Sequence, residues 1–515
     1  MPRAKMEGAS GGGGSPYPPV RGTADPRVQR PAPPKSVPGL IRHHADWLIL
    51  ACVVMVAVFV RLSFARLVDP FVSKDSQSYF LPAWDLTHGD GFVLGLRRTP
   101  GYPLFLALIQ ILFGPALQSV IMAQHLLGVL TAALTFALAR LVFGRLAGLV
   151  AGLLVALSAP LIVYEHYVLT EALFTFAITI AMLFFVQAMR SQRRRIALVS
   201  GMSLGAASMV RPVGQALAPL VLAGMALSRW PRGREAIIAA MMCALGLAVA
   251  LTPWAIRNRL VNDLSGTTTF GRTLIARTAY YDRGFSFYEP GWGDEGDAQI
   301  VSARKIVQEG FNRRQSDGTI AGRLRQDLNL GPAEVNAVMR QVALEAILRR
   351  PEYFLTGSLK FAWEVFVGQD ERVGNHADEI KDVTWDARTS HLLPGKPTSS
   401  QDAAQRDAQR LLNLYQPARY AAWHMMFCVI GIAAAVMRKP WRMGLAIACA
   451  ALIHIVLSAA LDGPQERYRY TVDPLISVLA AGGMAACIGS VVAVVRGLTR
   501  FRPAPARQPD VAPTR

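Results

Sequence analysis

Over 515 residues the chain carries 52% hydrophobic side chains, a mean hydropathy of +0.29 and a formal net charge of +19. Its apolar residues are gathered into runs of membrane-spanning length, which excludes a soluble protein with a periodically patterned core. The positive charge does not call for nucleic acid, because it sits in short loops between the runs, where Lys and Arg set membrane orientation.

Residues 1–40 are rich in Gly, Pro, Ala and Arg, include Gly11 to Gly14 and hold no apolar run able to nucleate a core, so they read as a disordered cytoplasmic tail. The first apolar run begins too late for a cleaved signal peptide and continues into a full span, which should stay as an anchor. Spans are predicted at 47–62, 116–143, 146–163, 168–189, 196–210, 213–228, 236–256, 419–437, 443–461 and 471–495. The expected fold is therefore an all-α polytopic bundle of about ten spans.

Arg140 and Arg145, Arg190 with Arg193, Arg194 and Arg195, Arg229 with Arg232 and Arg234, Arg438 with Lys439 and Arg442, and Arg496, Arg500 and Arg502 recur on alternate sides and mark the cytoplasmic face. The loop with Asp75, the turn Tyr164–Tyr167, the segment after Trp254 and the run Gln465–Arg469 then share the external face. The expected organisation is a membrane core at 41–256, an external segment at 257–417, C-terminal spans at 418–496 and a cytoplasmic tail at 497–515. In the external segment, Val335, Val338, Met339, Val342, Ala346 and Ile347 recur at helical spacing before Pro351, predicting an amphipathic helix resting on the membrane domain. The stretch 353–368 is short and carries Lys360 and Glu364, so it reads as an interfacial helix. All five cysteines fall within predicted spans, which excludes a disulfide scaffold outside.

Chemistry is signalled first at Asp75, in the polar stretch Ser73–Tyr79, followed by Arg97 and Arg98 before Thr99-Pro100-Gly101-Tyr102-Pro103. One loop thus offers a carboxylate able to take a proton and guanidiniums able to hold a phosphate. The plainer alternatives are a solvated loop acid and a snorkelling arginine. Glu171 sits just inside a span, where an unpaired carboxylate is costly, so either a function or a buried ion pair is expected. Glu165 and His166 suit an acceptor or metal contact, or a polar interfacial turn. Arg467 and Arg469 either bind phosphate or cap the last span. His125, His424 and His454 read as packing residues. Asp294, Glu295 and Asp297 lack calcium-loop spacing. No cofactor is specified and no divalent-metal ligand set is indicated.

The chain resembles the polyprenyl-phosphate-dependent glycosyltransferases of the multispan C superfamily, particularly the bacterial branch similar to protein mannosyltransferases. The resemblance rests on Asp75-Ser76-x-x-Tyr79 with Arg98-Thr99-Pro100-Gly101-Tyr102-Pro103, Leu169-Thr170-Glu171, Pro253-Trp254-Ala255-Ile256-Arg257-Asn258 and Glu466-Arg467-Tyr468, in that order along the membrane domain. It implies that Asp75 deprotonates an acceptor hydroxyl, which attacks the anomeric carbon of a sugar on a polyprenyl phosphate with inversion. It also implies that arginines stabilise the departing phosphate, with Arg98, Arg467 and Arg257 the candidates in that order, Arg97 beside them, and Glu171, Glu165, His166, Tyr102 and Tyr79 in support. The implied partners are a lipid-linked sugar, an envelope glycan, lipid or protein acceptor, and membrane lipids, at a bacterial inner membrane with the site facing the periplasm. Better-known members carry a second acid after the loop Asp, where Ser76 stands here, and the aminoarabinose transferase's Lys-Pro-Pro is replaced by Arg-Thr-Pro-Gly-Tyr-Pro, so neither substrate pair transfers by analogy. A glycan ligase with a lipid-linked donor and a transporter or flippase of lipid-linked glycans are the alternatives; the paired repeats expected of a transporter are not seen.

Overall fold

The computed structural model describes residues 37–94, 98–228, 233–262, 270–278, 297–313, 315–378, 385–393, 401–437 and 441–500. The chain divides into two compact units, Met1–Trp47, described from residue 37, and Leu48–Arg515, to which everything below refers. Among the described residues the structure is helical, apart from one isolated parallel bridge between Phe71 and Tyr167.

Helix α1 (Val37–Leu67) leads through the Asp75 turn into α2 (Gln77–His88) and α3 (Gly101–Phe113), then α4 (Leu117–Phe143). Helices α5 (Arg145–Leu157) and α6 (Ala159–Glu165) follow each other with a bend of 52°, with Pro160 entering the first turn of α6. The core continues with α7 (Glu171–Ser191), α8 (Arg194–Val210), α9 (Ala218–Leu227) and α10 (Arg234–Asn262). After α10 come α11 (Phe270–Ala276), α12 (Ala298–Asn312), α13 (Asp317–Asp327), α14 (Pro332–Arg349), α15 (Pro351–Val367), α16 (Val373–Asp378) and α17 (Gln401–Leu412). Last come α18 (Ala421–Met437), α19 (Trp441–Asp462), the single turn α20 (Arg467–Tyr470) and α21 (Asp473–Arg500).

Seven helices among the described residues are long and apolar enough to cross a membrane, eight with the bent pair counted as one. This is an integral membrane protein. The predicted spans 196–210 and 213–228 are the 17-residue α8 and the short apolar helix Pro212–Leu227, both below the roughly 20 residues that cross a bilayer unaided. Helix α3 was not expected as a helix, because 13 apolar residues give no span signal. Helices pack by backbone approach: a Cβ at Gly201 of α8 would collide with the Cys243 carbonyl of α10, and one at Gly246 with the Leu198 carbonyl. Small residues are the means by which lipid-embedded helices come this close. Leu245, Val249, Leu452 and Val491 point outward and suit lipid tails.

The two ends of the bundle differ in chemistry. At one end Arg190 donates to the Leu141 carbonyl, Gln192 to the Ser228 hydroxyl and Arg442 to the Leu227 carbonyl, which gathers the basic loops. The opposite ends of the same helices carry Glu171 at the start of α7 and Arg211 after α8.

Helix α14 does not rest its apolar stripe on the membrane domain as expected. Val335, Val338, Met339 and Val342 share a small core with Leu274, Ile275, Ile300, Ile306, Ile320 and Leu324 of α11, α12 and α13. The short flanking helices each supply an apolar face, so the stripe is covered by α11, α12 and α13. Helix α15 buries Ser358, Phe361 and Val365, while Leu355, Leu359 and Trp363 stay exposed.

Candidate active site

The polar stretch after α1 folds back on itself: the Ser73 amide donates to the Ser76 hydroxyl, and the Ser78 hydroxyl and amide both donate to the Asp75 carbonyl. Upstream, the Phe71 amide donates to the His166 carbonyl and the Val168 amide to the Phe71 carbonyl, which pins the turn to the start of α7. The backbone is thus satisfied locally, and the Asp75 carboxylate is left for side-chain partners.

Those partners are the two arginines ranked first from the sequence. Arg98 Nη2 lies 2.6 Å from Asp75 Oδ1, while its Nη1 donates to the Tyr79 hydroxyl at 2.6 Å. Arg467 Nη1 lies 3.4 Å from Asp75 Oδ2 and its Nε 3.9 Å from Glu171 Oε1. Glu171 in turn accepts from Arg211 Nη1 at 2.9 Å. Two carboxylates and three guanidiniums therefore meet, from the Asp75 turn, the Arg98 loop, α7, the end of α8 and α20.

Local sequence explains why these elements meet. The Thr99 hydroxyl donates to the Val210 carbonyl at the end of α8. Gly101 lies so close to that end that a Cβ would meet the Met209 carbonyl carbon and oxygen at 2.7 Å. The Arg-Thr-Pro-Gly motif is thus the dock between the Arg98 loop and the helix bearing Arg211. Gly101→Ala should cost about 1–3 kcal/mol by overpacking and lower the detergent unfolding temperature, because backbone cannot step aside as a flexible side chain can. An unchanged melting profile would contradict this dock.

Arg211 was missed by sequence reasoning, although a signal existed. It stands between an apolar run and Pro212, so its backbone is extended (φ −141°, ψ 126°) and α8 stops at Val210. A charge at the end of a span invites the same question that Glu171 did.

Burial pushes the Asp75 carboxyl up, but the Arg98 and Arg467 guanidiniums outweigh it and hold the group below its ordinary value of 3.8. Burial also raises the Tyr79 phenol, which therefore stays protonated beneath the Arg98 guanidinium, 4.2 Å from the ring centre. Burial alone would lower Arg467, yet Glu171 and Asp75 raise it further, so it remains charged.

Tyr102, Glu165 and His166 form a second layer instead of touching Asp75. Tyr102 packs edge-on to Tyr79 and its hydroxyl donates to Gln124 Oε1 at 2.9 Å, while Gln124 Nε2 donates to the carbonyls of Glu165 and Tyr167. The Glu165 carboxylate takes a bidentate pair from Arg61 at 2.7 and 2.8 Å and lies 3.0 Å from His125 Nδ1. His125 in turn lies 3.0 Å from His166. The polar turn read at 164–167 is therefore buried, not interfacial, because Arg61 in α1 reaches it. Arg257 joins neither layer: its guanidinium lies over the Trp254 ring at 4.7 Å and donates to the Phe92 carbonyl at 3.3 Å. Arg97 lies outside the described residues. Among the described residues no three His, Cys, Asp or Glu side chains converge as a metal site.

Residues 97–256 match the sequence model of the dolichyl-phosphate-mannose-protein mannosyltransferase family. They contain Arg98, Glu171 and Arg211. The match spans less than half of the chain, and over that stretch the chain is similar to this family. No curated protein sequence matches the chain. Solved structures similar to this chain include the oligosaccharyltransferase AglB of Archaeoglobus fulgidus in complex with an inhibitory peptide and a dolichol-phosphate, at 14% identity and a TM-score of 0.47, covering 90% of this chain and 53% of that one. ArnT from Cupriavidus metallidurans bound to undecaprenyl phosphate is similar at 15% identity and a TM-score of 0.40, covering 91% and 82%. The arabinosyltransferase EmbB from Mycobacterium smegmatis gives 14% identity and a TM-score of 0.29, covering 88% and 42%. The chain spans about half the length of the archaeal structures it matches.

Proposed function

We propose that this protein is an inverting glycosyltransferase that moves a sugar from a polyprenyl-phosphate donor to a hydroxyl of an envelope acceptor. The observation that carries the reading is the meeting of Asp75 with Arg98 and Arg467, 2.6 and 3.4 Å away, at the end of the bundle opposite the basic loops. That segregation supports a site on the periplasmic side of a bacterial inner membrane.

In this reading Asp75 accepts the proton of the acceptor hydroxyl as its oxygen forms a bond to the anomeric carbon. The bond from that carbon to the phosphate oxygen breaks, and its electron pair stays on the phosphate. Arg98 and Arg467 offset the developing charge, and the phosphate leaves without needing a proton. Arrival of an anionic donor draws the guanidiniums partly off Asp75, which frees its oxygens to act as base.

Segment 257–417 is proposed to cover the site. Contacts from its described part support this: Arg388 pairs with Asp85 of α2 at 2.8 Å, and Gln369 donates to Glu466 beside Arg467 at 2.7 Å.

A pH prediction follows from the ion pairs. Asp75 works as a base when ionised, and its arginines keep it ionised below the ordinary carboxylate range. In Arg98→Gln burial prevails over the remaining attraction, so the acid limb of the transfer-rate profile should move to higher pH. An acid limb in the same place would separate Arg98 from the base.

The function itself is tested by mass spectrometry of envelope lipids and glycans from cells with and without the gene, joined to transfer of radiolabelled sugar from the donor so named in detergent. A one-sugar mass difference names donor and acceptor together. Identical envelopes, with no transfer by the purified protein, would end the reading.

A further inference from the structure

We propose that Arg211 is a third donor-phosphate ligand, held ready on Glu171 as a stand-in anion until the phosphate arrives. This rests on the lipid-phosphate reading above, but on different residues. Among the described residues Arg211 gives one hydrogen bond, from Nη1 to Glu171 Oε1 at 2.9 Å, and its side chain keeps 15% of its surface accessible. The guanidinium has five N–H donors in a planar fork, so one bond leaves most of its capacity unused. Its face lies 4.8 Å from the centre of the Tyr468 ring, which fixes its plane next to Arg467.

Glu171 is 4% exposed and binds Arg211, with Arg467 Nε at 3.9 Å from the same oxygen, Oε1. A carboxylate shared between two guanidiniums occupies the kind of position a phosphate oxygen takes in an arginine clamp. Counting the charged groups of the cluster, three arginines face Asp75 and Glu171, leaving one positive charge for an incoming anion.

Geometry also favours joint action. The Arg98 loop and the Arg211 helix end are tied through Thr99 and Val210, each next in sequence to one of the two arginines. Arg467 reaches both carboxylates and bridges the halves. A phosphate between the three would meet arginines from the loop, the α8 terminus and α20.

The test uses full-length protein in detergent with undecaprenyl phosphate as the probe, binding being read by native mass spectrometry. Arg211→Gln should weaken binding about 10- to 100-fold, the range for a lost charged hydrogen bond. Arg211→Lys should recover part of that, since it keeps the charge but not the fork. Glu171→Gln is the deciding variant: it removes the stand-in anion, so binding should tighten severalfold. A merely structural ion pair predicts no gain in Glu171→Gln, and that outcome, like wild-type binding by Arg211→Gln, would overturn the proposal. Should Arg211→Gln unfold, Glu171→Gln still decides it.

Inorganic phosphate in parallel separates the two sources of the same chemistry. Competition in wild type but not in Arg211→Gln shows that the headgroup alone is read. No competition, with Arg211-dependent lipid binding, shows that the lipid tail is also needed. Both support the role of Arg211. If Arg98→Ala loses binding while Arg211→Gln keeps it, the lipid-phosphate reading stands and this inference falls.

Discussion

Asp75→Asn is expected to nearly abolish sugar transfer while leaving the protein folded in the membrane and able to bind donor. Asparagine keeps the size and hydrogen-bonding capacity of the side chain and loses its proton affinity. General-base losses run to about 10² to 10⁴-fold, or roughly 3 to 5 kcal/mol of barrier. Removing the negative charge frees Arg98 and Arg467, both of which contact Asp75, so donor binding should hold or tighten. That split separates a base from a counter-ion: a residue needed only to orient arginines would lose donor affinity together with rate. Asp75→Glu returns the carboxylate displaced by one methylene, and partial activity at best is expected. Transfer at the wild-type rate by the Asn protein, with binding intact, would remove Asp75 from the chemistry and favour a transporter of lipid-linked glycans.

Arg61→Met should produce the largest loss of stability. The Arg61 side chain is 1% exposed and holds both Glu165 oxygens, and its Nη1 donates to the Ala156 carbonyl on α5. Truncating one partner of a buried pair leaves an uncompensated charge and costs about 3–5 kcal/mol. His125 is left as the remaining partner of Glu165 among the described contacts. The double variant Arg61→Met with Glu165→Gln removes the orphan charge and should recover much of the loss, as read by thermal unfolding in detergent. A single variant that melts like wild type would mean that the pair contributes nothing to the fold.

The contrast between Glu165 and Glu171 shows what could be read from the chain alone. Both are acids near the ends of apolar runs, and both were expected to support the site. The structure gives Glu165 to Arg61, 104 residues away, as a buried tie between α1 and the end of α6. Glu171 goes to Arg211, 40 residues away, in the cluster with Asp75. Nothing in the local sequence separates them, since the cost of a buried carboxylate is the same until its partner is known.

The arginines divide in the same way. Arg98 was identifiable because it shares a loop with Asp75, 23 residues away. Arg467 is 392 residues from Asp75, and its own loop did not tell phosphate binding from capping of the last span. Arg257 carried a comparable motif, yet Trp254 and the Phe92 carbonyl hold it elsewhere. Arg211 carried none and stands in the cluster.

By itself the sequence determined the membrane bundle, because hydropathy is a sum over neighbouring residues and each apolar run states its own preference for lipid. It determined the sorting of charge between loops for the same reason, and it marked Asp75 and Arg98 as chemistry-bearing polar residues within one short stretch. Only the tertiary structure decided which charged span ends become partners, because ion pairing depends on which helix termini pack together. That packing is set by close contacts such as Gly101 against Met209, which no window along the chain can contain.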